Sequence, residues 1–564
     1  MDYRNRRSLR IPHGGRDLPF QDIRVMNPSR GLNMLSPDIF IDNKDSWDLM
    51  NIDFSSSGAV EKRPGFTSIG TGLTNAPTGM GVYRRNETSK LAVIDGGKLK
   101  LYDDSNDTWS EVGGNITHSS TSSSFLTSID NKLYVWDGEQ GGTVYDGTTE
   151  TRPGRMPKGK FSIDYKDFHI VSGVAGQPFR VYVSGVRETS RFTRSDAPSG
   201  NEYIELNTAA GVPGATVFDG DKSPNAIDVN RYDGEPVTGF GFHQDALIIF
   251  KEHSIYSMEF NDQRLPVLSR ITNAYGCSAH GSICTVENDC YFFYNGAIYV
   301  LGNEPNYYAT IRTNELSSRI RPLLEQINPN SFDRMRSYFY DNRYMLSIPR
   351  NSDYNNLFIV YDKRYYSWTI WDNINASGIN SYKDENGKMQ LVFVESTKPR
   401  MNRFTWGVYN DNGEPISAHW QSRAFHGKKV DVIKYWKEIR FIFKKMSGSV
   451  DVQFYDENGS FGGNFSLDMA QIGGVGIDNF GSIMFGTSDT NNYTGIDLGT
   501  STEGYSSITV ESTMAFRAYI KKMSRTFSFR ISNDELNENF SLLAFNILFQ
   551  NQDPDLFESR HTYL

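Results

Sequence analysis

Three cysteines and one histidine lie close together near the middle of the sequence, in an arrangement that could bind a metal ion. Cys277, His280, Cys284 and Cys290 have the spacing C-x2-H-x3-C-x5-C. Structural zinc sites normally take their ligands as two close pairs. Cys284 and Cys290 instead fall in strand-like segments, where side chains can point to opposite faces of a sheet. We therefore interpret these cysteines as buried free thiols and expect no metal ligand among them.

The motifs of other common reactions are missing from the sequence. It contains no G-x-S-x-G elbow, no catalytic cysteine–histidine signature and no Walker-type phosphate loop. His243, His253 and His419 lie in strand-like segments, where a single histidine usually has a structural role. We expect no catalytic, cofactor-binding or metal-binding residue, no cofactor and no enzymatic activity.

Glycoside hydrolysis would need a pair of carboxylates at a defined separation. The segment Ser105–Trp109 faintly resembles the Asp-box turn of sialidases, but it lacks the glycine of that motif and occurs once. Acidic residues are common in turns because their side chains hydrogen-bond to the local backbone. The sequence therefore does not locate a hydrolytic pair.

The elements that would position any such residues are short strands joined by tight turns. A strand–turn–strand unit recurs between residues 75 and 424, with turns near residues 95, 130, 166, 245, 289, 341 and 386. The steps of about 35–50 residues match the period of propeller blades. One double step, over residues 185–236, could contain a divergent blade. We predict an all-β protein with a β-propeller of six to eight blades over 75–424; the alternative is a β-rich protein with irregularly spaced hairpins.

The regions that flank the predicted propeller have a different character. Residues 1–74 show no regular hydrophobic period, and we interpret them as an extended N-terminal arm that other subunits order. Residues 425–564 contain strands of period two, such as 437–444 and 448–455, and predict a separate β-sandwich-like domain. Within the propeller region, apolar residues on one face of 314–327 predict a helix bent at Pro322.

Composition and charge exclude several classes of protein. The 564 residues include 67 acidic and 58 basic side chains, which gives a net charge of −9 and argues against a protein that binds nucleic acid through bulk positive charge. No apolar run is long enough for a membrane-spanning helix, and no apolar segment follows the basic N-terminus as in a signal peptide. Three cysteines cannot form a disulfide framework, so we expect a reducing cytosol.

Several short motifs, in a fixed order, point to a known family. Gly31-Leu32-Asn33 is followed by Ser46–Asp53 and then by Gly58–Phe66, which includes Lys62-Arg63-Pro64-Gly65-Phe66. Later elements are Ala246–Tyr256, the predicted helix and Val360–Trp368. Over residues 30–420 the chain resembles bacteriophage tail nozzle proteins, also called packaged-DNA stabilization proteins. The C-terminal domain carries no such resemblance.

The resemblance implies a structural protein of the virion. Such proteins assemble in the host cytoplasm into rings of usually six copies below the portal and adaptor proteins. They extend the tail channel, retain packaged DNA and carry fibres or a needle. The resemblance also implies a channel that duplex DNA passes through without sequence-specific binding.

Charge constrains the wall of such a channel. Six copies at −9 each would total about −54, and duplex DNA carries one negative charge per ~1.7 Å. We expect acidic or neutral walls, because a basic wall would bind phosphate and hinder ejection. Retention would then need a constriction, for which the loop 218–236 is a candidate; the alternative is an ordinary solvated loop.

Two other functions fit parts of the sequence. A receptor-binding or glycan-degrading tail protein is the main alternative, although the repeat step is too long for the β-helices that are usual there. A cellular propeller scaffold is the second, although the blades lack Gly-His and Trp-Asp signatures.

Overall fold

The computed structural model describes residues 19–552, apart from 154–155, 186, 188, 191, 193–203, 206–224, 262–265, 304–310, 445–447 and 469–512. Most of the regular structure in these ranges is β-strand. The helical elements are one α-helical turn, α1 (Arg321–Leu324), and short 3-10 turns at Arg231–Asp233, His280–Ser282, Ser318–Ile320 and Pro329–Arg334. No helix in the described ranges is long and apolar enough to cross a membrane.

The N-terminal part of the chain forms strands that pair within the same chain. They are β1 (Gln21–Met26), β2 (Gly31–Leu32), β3 (Asp45–Met50), β4 (Ile52–Phe54), β5 (Val60–Lys62) and β6 (Gly65–Ile69). The interpretation of this segment as an arm ordered by other subunits is therefore wrong for residues 19–69. Their local sequence lacks a period because each strand is short and pairs with a distant part of the chain. Residues 1–18 lie outside the described residues.

Seven sheets follow along the described chain. The first is β7 (Gly79–Arg85), β8 (Thr88–Asp95), β9 (Lys98–Asp103) and β10 (Thr108–Glu111); the second is β11 (Phe125–Ile129), β12 (Lys132–Trp136), β13 (Thr143–Tyr145) and β14 (Glu150–Thr151). The third is β15 (Phe161–Tyr165), β16 (Phe168–Ser172), β17 (Arg180–Val183), β18 (Ile204–Glu205) and β19 (Asn225–Asp228); the fourth is β20 (Val237–His243), β21 (Ala246–Lys251), β22 (Ile255–Phe260) and β23 (Pro266–Thr272). The fifth is β24 (Cys284–Val286), β25 (Asp289–Tyr294), β26 (Ala297–Asn303) and β27 (Ile311–Glu315). The sixth is β28 (Arg336–Tyr340), β29 (Arg343–Ile348), β30 (Leu357–Asp362) and β31 (Ser367–Trp371); the seventh begins with β32 (Ala376–Lys383), β33 (Met389–Glu395) and β34 (Met401–Thr405).

These sheets are the blades of a β-propeller, as predicted. The first strand of each blade packs beside that of the next blade, and β32 of the seventh blade packs against β7 of the first. The seventh blade takes its fourth strand, β6, from the N-terminal segment, so strands from both ends of the propeller region close the ring. Glycine permits close approach near the axis: a Cβ at Gly81 would lie 2.5 Å from the Cβ of Leu126 in the next blade.

The turn chemistry explains why the repeat was visible in the sequence. Asp130 and Asn131 have φ angles of 48° and 58°, and Asp341 and Asn342 have 48° and 60°. Two successive left-handed residues give the tight hairpin turn that matches the twist of paired strands, and Asn and Asp tolerate it best.

Two details of the predicted repeat need comment. The described residues of the double step add no further blade, because β17 and β18 both pair with β19 in the third blade; residues 193–203 and 206–224 of this step lie outside the described residues. The helix predicted over 314–327 is reduced to α1 and a 3-10 turn, because Asn314 and Glu315 end strand β27. Pro322 stands in the first turn of α1, where its missing N–H costs nothing, and does not bend a longer helix.

The C-terminal strands build a sandwich together with N-terminal strands. Two short strands, β35 (Asn410–Asp411) and β36 (Glu414–Pro415), extend the sheet of the seventh blade beyond β6. The C-terminal strands of the sandwich are β37 (Ala418–Ser422), β38 (Lys434–Lys444), β39 (Ser449–Asp456), β40 (Gly459–Asp468), β41 (Thr513–Ser524), β42 (Ser528–Asn533) and β43 (Ser541–Asn551). One sheet has the order β4-β5-β43-β38-β41, with β1 also on β43. The other joins β3-β37-β42-β39-β40 to the sixth blade through β2. The sandwich is thus not built from residues 425–564 alone.

Aromatic side chains fill the space between the two sheets of the sandwich. Phe529 contacts Phe545 edge to face, with ring centroids 4.9 Å apart, and Trp436 lies 5.5 Å from Phe527. This core is continuous with the apolar cluster between the fifth and sixth blades. Propeller and sandwich therefore share one hydrophobic core.

A buried ion pair fixes the N-terminal segment between the two. The guanidinium of Arg63 is fully buried and donates two hydrogen bonds to the carboxylate of Asp411, at 2.9 and 2.7 Å. Its Nε donates to Asn51 at 2.9 Å. The ammonium of the preceding Lys62 donates to Asn533 of the sandwich at 2.7 Å. We call Asn51, Lys62, Arg63 and Asp411 the joint.

Replacing Arg63 should destabilise the whole molecule. We expect Arg63→Met to lower the free energy of unfolding by about 3–5 kcal/mol, because it leaves the Asp411 carboxylate buried without its cation. Urea denaturation followed by tryptophan fluorescence measures the change. The exposed Arg84 is the matched control, and Arg84→Met should change the free energy by less than about 0.5 kcal/mol. A loss below about 1 kcal/mol for Arg63→Met would contradict the importance of the joint.

Candidate functional site

The propeller axis is filled by side chains where the inner strands begin. His280, in the turn before the fifth blade, stacks on Phe161 of the third blade, with ring centroids 4.5 Å apart. It also meets Phe125 of the second blade edge on, at 4.7 Å. The guanidinium of Arg336, at the start of the sixth blade, lies 4.5 Å from the centre of the Phe125 ring. Side chains of non-adjacent blades therefore meet across the axis.

The members of the cysteine cluster have different surroundings. His280 faces aromatic rings and not the thiols, and burial lowers its pKa to about 3, with Arg336 and Lys160 adding to the shift. Burial raises the pKa of Cys277 and of Cys284 to about 12. Within the described ranges, His, Cys, Asp and Glu side chains form no group of three or more that could hold a metal ion. Neutral thiols with such pKa values are poor metal ligands and poor nucleophiles.

The other histidines singled out in the sequence have local partners. Nε2 of His419 lies 3.0 Å from a carboxylate oxygen of Asp48, and this contact lowers the pKa of Asp48. His253 lies beside Glu235 at the surface, and His243 is buried at the end of β20. These residues come from different parts of the fold and do not converge on one site.

A surface cleft lies between the first and seventh blades and has a volume of about 370 Å³. Its lining is Glu87, Thr88, Ser89, Lys90, Leu91, Tyr102, Asp103, Asp104, Ser105, Tyr382, Lys383, Asp384, Glu385 and Gly387. The segment Ser105–Trp109 begins at this cleft. Asp107 accepts a hydrogen bond from the hydroxyl of Tyr102 at 2.7 Å and another from the backbone of Gly70. Its role is to hold the turn.

The carboxylates in the cleft are bound to neighbouring turns. Asp104 accepts hydrogen bonds from the Tyr382 hydroxyl, at 3.0 Å, and from the backbone N–H of Glu385, at 2.8 Å. A hydrogen bond from Gln390 lowers the pKa of Asp384, and one from Asn106 lowers that of Asp103. A glycosidase general acid needs a raised pKa. The pKa values of Asp384 and Asp103 are lowered instead.

Carboxylates also recur at the first hairpin turn of the blades, on one face of the propeller. Each of the seven described blades has an acidic residue there: Glu87, Asp130, Asp167, Asp245, Glu287, Asp341 and, in the seventh, Asp384 with Glu385. The loop 218–236, a candidate constriction, is described only from residue 225. It continues as strand β19 and an exposed 3-10 turn at Arg231–Asp233.

The sequence analysis did not predict the side chains that meet on the propeller axis, and it did not predict the joint. The axial group could have been found from the aromatic residue that begins two successive inner strands, Phe125 and Phe161. The joint could have been found from the Lys-Arg pair before Pro64, whose charges are buried.

Comparison with known proteins adds a likeness of fold. No family model and no curated protein matches the chain. Among solved structures, YCF48 from Cyanidioschyzon merolae aligns with a TM-score of 0.35 and 8% identity over 60% of this chain and 98% of that one. The Neurospora crassa Pan2 WD40 domain gives a TM-score of 0.33 and 8% identity over 62% and 96%. A catalytically inactive virginiamycin B lyase from Staphylococcus aureus gives 0.36 and 10% over 61% and 99%.

A buried histidine between the second and third blades should make stability depend on pH. His169 is fully buried, hydrogen-bonds to the carbonyl of Thr189, and has its pKa lowered by burial to about 4. The unfolded chain takes up a proton near pH 6.5 and the folded chain does not, so stability falls as the pH drops from about 6.5 to about 4. We expect His169→Asn to reduce this slope by about 1.4 kcal/mol per pH unit.

Denaturant unfolding at several pH values measures this slope. Asparagine can donate the same hydrogen bond but does not titrate in this range. Phe192→Leu, in the same apolar cluster, is the control: it should lower stability equally at each pH. An unchanged slope in His169→Asn would show that His169 is protonated in the folded chain.

Proposed function

We propose that this chain is a structural subunit of a bacteriophage tail, which forms a ring that extends the DNA channel below the portal and adaptor. The observation that carries the proposal is where the nozzle-like motifs lie in the fold. A Cβ at Gly31 would lie 2.4 Å from the carbonyl oxygen of Trp368, and a Cβ at Gly65 would lie 2.0 Å from that of Asn410. These glycines and Arg63 stand where the N-terminal segment is packed between propeller and sandwich.

This arrangement supports a mechanical role for the motifs. Apart from Ala246–Tyr256, which lies in the fourth blade, they converge on the region where propeller and sandwich share one hydrophobic core. A catalytic family would be expected to share residues that line an open site. Most of the residues that resemble the nozzle family instead join the propeller to the sandwich.

The filled axis supports a channel between copies. Because His280, Phe125 and Arg336 meet across the propeller axis, duplex DNA cannot pass through a single propeller. A DNA channel would have to be enclosed by several chains, which agrees with the ring that the family resemblance implies. The portal, adaptor, fibres or needle are the partners that this proposal assigns, and the virion tail is the location.

A glycan-degrading tail protein is the second candidate, and the acidic cleft between the first and seventh blades is the observation that favours it. The hydrogen bonds of Asp104 and the lowered pKa of Asp384 argue against hydrolysis there. We rank this function below the ring.

Electron microscopy of the purified full-length chain tests the proposed function. We expect rings with a central channel, because the family resemblance implies a closed assembly, and we expect antibodies against the chain to label the tail end of phage particles. Monomers without rings, together with particles that do not bind the antibody, would contradict the function. Particles that lack tails are the control, and the antibody should not bind to them.

The cleft gives a separate prediction about catalysis. We expect no release of sugar from host surface glycans by the intact chain, because Asp104 is hydrogen-bonded to Tyr382 and Glu385 and the pKa of Asp384 is lowered, not raised. Measurable release that is lost in Asp104→Asn or Glu385→Gln, but kept in the exposed control Glu414→Gln, would establish the hydrolase instead.

A further inference from the structure

The two sheets of the sandwich are joined by a buried contact between a lysine and an asparagine. Lys62 is the last residue of β5, and Asn533 is the last residue of β42 in the opposite sheet. The side-chain nitrogen Nζ of Lys62 lies 2.7 Å from Oδ1 of Asn533. Lys62 is 2% exposed and Asn533 is 3% exposed. An amine and an amide carbonyl are thus held together away from bulk water.

The surroundings of Lys62 favour the neutral form of its amine. Its hydrogen-bond acceptors in the described part of the chain are two uncharged oxygens, Oδ1 of Asn533 and the backbone carbonyl of Glu535 at 3.2 Å. Uncharged oxygens do not compensate for the desolvation of an ammonium group. Burial, with repulsion from Arg63, lowers the pKa of Lys62 to about 8, although neighbouring carboxylates, including Glu538, oppose the shift. Roughly a tenth of the chains therefore carry a neutral, nucleophilic amine at pH 7.

A carboxylate stands on the other side of the Asn533 amide. Oε2 of Glu538 accepts a hydrogen bond from Nδ2 of Asn533, at 3.1 Å. The backbone N–H and the hydroxyl of Ser449 donate to the same oxygen, at 2.9 and 3.2 Å, and fix its position. The carbonyl of Ser449 accepts a second hydrogen bond from Nδ2, at 2.8 Å. The amide nitrogen is therefore in contact with a group that can take up and return a proton.

The distances suit attack of the amine on the amide carbon. Because Cγ of Asn533 is bonded to Oδ1 at about 1.2 Å, the 2.7 Å contact places Nζ of Lys62 at most about 3.9 Å from Cγ. Reacting atoms in near-attack arrangements are about 3–3.5 Å apart, so a small rotation of the lysine side chain is sufficient. One amide group thus presents its carbon to Lys62 and its nitrogen to Glu538.

We propose that Lys62 and Asn533 form an intramolecular isopeptide bond, with Glu538 as the catalytic residue that transfers the proton. The neutral amine of Lys62 attacks Cγ of Asn533, and the new bond joins Nζ to Cγ. The Glu538 carboxylate takes one proton from Nζ and gives it to Nδ2, so that the Cγ–Nδ2 bond breaks and ammonia leaves. The ammonia binds the proton that the ammonium form of Lys62 lost beforehand. One amide replaces another, and the reaction consumes no other reactant.

This bond makes the joint between propeller and sandwich covalent. A cross-link between residues 62 and 533 encloses the propeller and most of the sandwich in one covalent loop. Closure of a long loop removes conformational freedom from the unfolded chain and so stabilises the folded one. The inference does not depend on the proposed function, because the reacting groups belong to one chain, although a permanent joint suits a structural subunit.

Intact-mass spectrometry of the purified full-length chain tests the bond. We expect the wild-type chain to be lighter than its sequence mass by about 17 Da, the mass of the released ammonia. After digestion with trypsin, residues 45–84 and 531–560 should appear as one branched peptide, with fragment ions that place the branch at Lys62 and Asn533. A folded wild-type chain of full sequence mass would overturn the inference.

Three variants separate the parts of the reaction. Lys62→Arg keeps a positive charge but has no nucleophilic amine, and Asn533→Leu has no amide, so both should keep their full sequence mass. Glu538→Gln keeps a hydrogen-bonding side chain that cannot transfer the proton, and we expect it to form the bond at least about a hundredfold more slowly. Mass spectra of samples taken at intervals after synthesis measure the rate, and circular dichroism shows that each variant folds. An unchanged rate in Glu538→Gln would refute the catalytic role of Glu538.

A second lysine–asparagine contact in the same chain is the control. Nζ of Lys98 donates to Oδ1 of Asn115, at 3.1 Å, on the exposed surface. Water stabilises the charged form of an exposed lysine, so no branched peptide should join these two residues. A branched peptide at Lys98 as abundant as that at Lys62 would overturn the role assigned to the buried site.

One competing reaction gives the same change in mass. Attack by the backbone nitrogen of Asp534 on the Asn533 side chain would form a succinimide and also release ammonia. In that case Lys62→Arg would still be lighter by about 17 Da, the digest would contain no branched peptide, and the inference would be wrong. A mass loss that disappears in Lys62→Arg, together with the branched peptide, would establish the cross-link.

Discussion

The ion pair between Arg63 and Asp411 is the constraint on which the rest of the architecture depends. A fully buried guanidinium must direct its donors to acceptors, because each unsatisfied donor carries its full desolvation cost. Here the acceptors are Asp411, Asn51 and backbone carbonyls. Once Arg63 is fixed, Lys62 on one side reaches the sandwich and β6 on the other side completes the seventh blade. The dipeptide Lys62-Arg63 thus links closure of the propeller to attachment of the sandwich.

The propeller could be predicted because its signal is local. Each blade begins with a hairpin whose turn contains Asn, Asp or Gly, although the left-handed residue itself is Gln244 in the fourth blade and Glu287 in the fifth. Such turns recur at nearly regular steps. At the first blade, however, the predicted turn at residue 95 is the second turn, and the first turn is at Asn86 and Glu87. The N-terminal strands gave no such signal, since β1 pairs with β43 at the other end of the chain and its burial is decided by that distant partner.

For the candidate site, too, the sequence predicts features that depend on neighbouring residues and misses features that depend on distant ones. Sequence motifs were sufficient to suggest that Cys277 and Cys290 are buried, whereas Cys284 is only partly buried. The side chains that meet on the axis come from the second, third and sixth blades and from the turn before the fifth blade. Their spacing along the chain has no period, because ring closure and cross-strand register bring them together. The helix predicted over 314–327 failed for a related reason: Ile320 and Leu323 are apolar to fill the core between blades and sandwich, which a single turn can do.

The charge distribution connects the architecture with the proposed channel. A net charge of −9 is an average over the whole chain, whereas one face of the propeller has a carboxylate at the first turn of each described blade. The wall of the proposed channel would take its charge from the face of the subunit that lines it and not from this average. A wall formed by these turns would place carboxylates along the DNA, and carboxylates repel phosphate. Such a wall would let DNA slide without requiring the isolated subunit to be depleted of arginine and lysine.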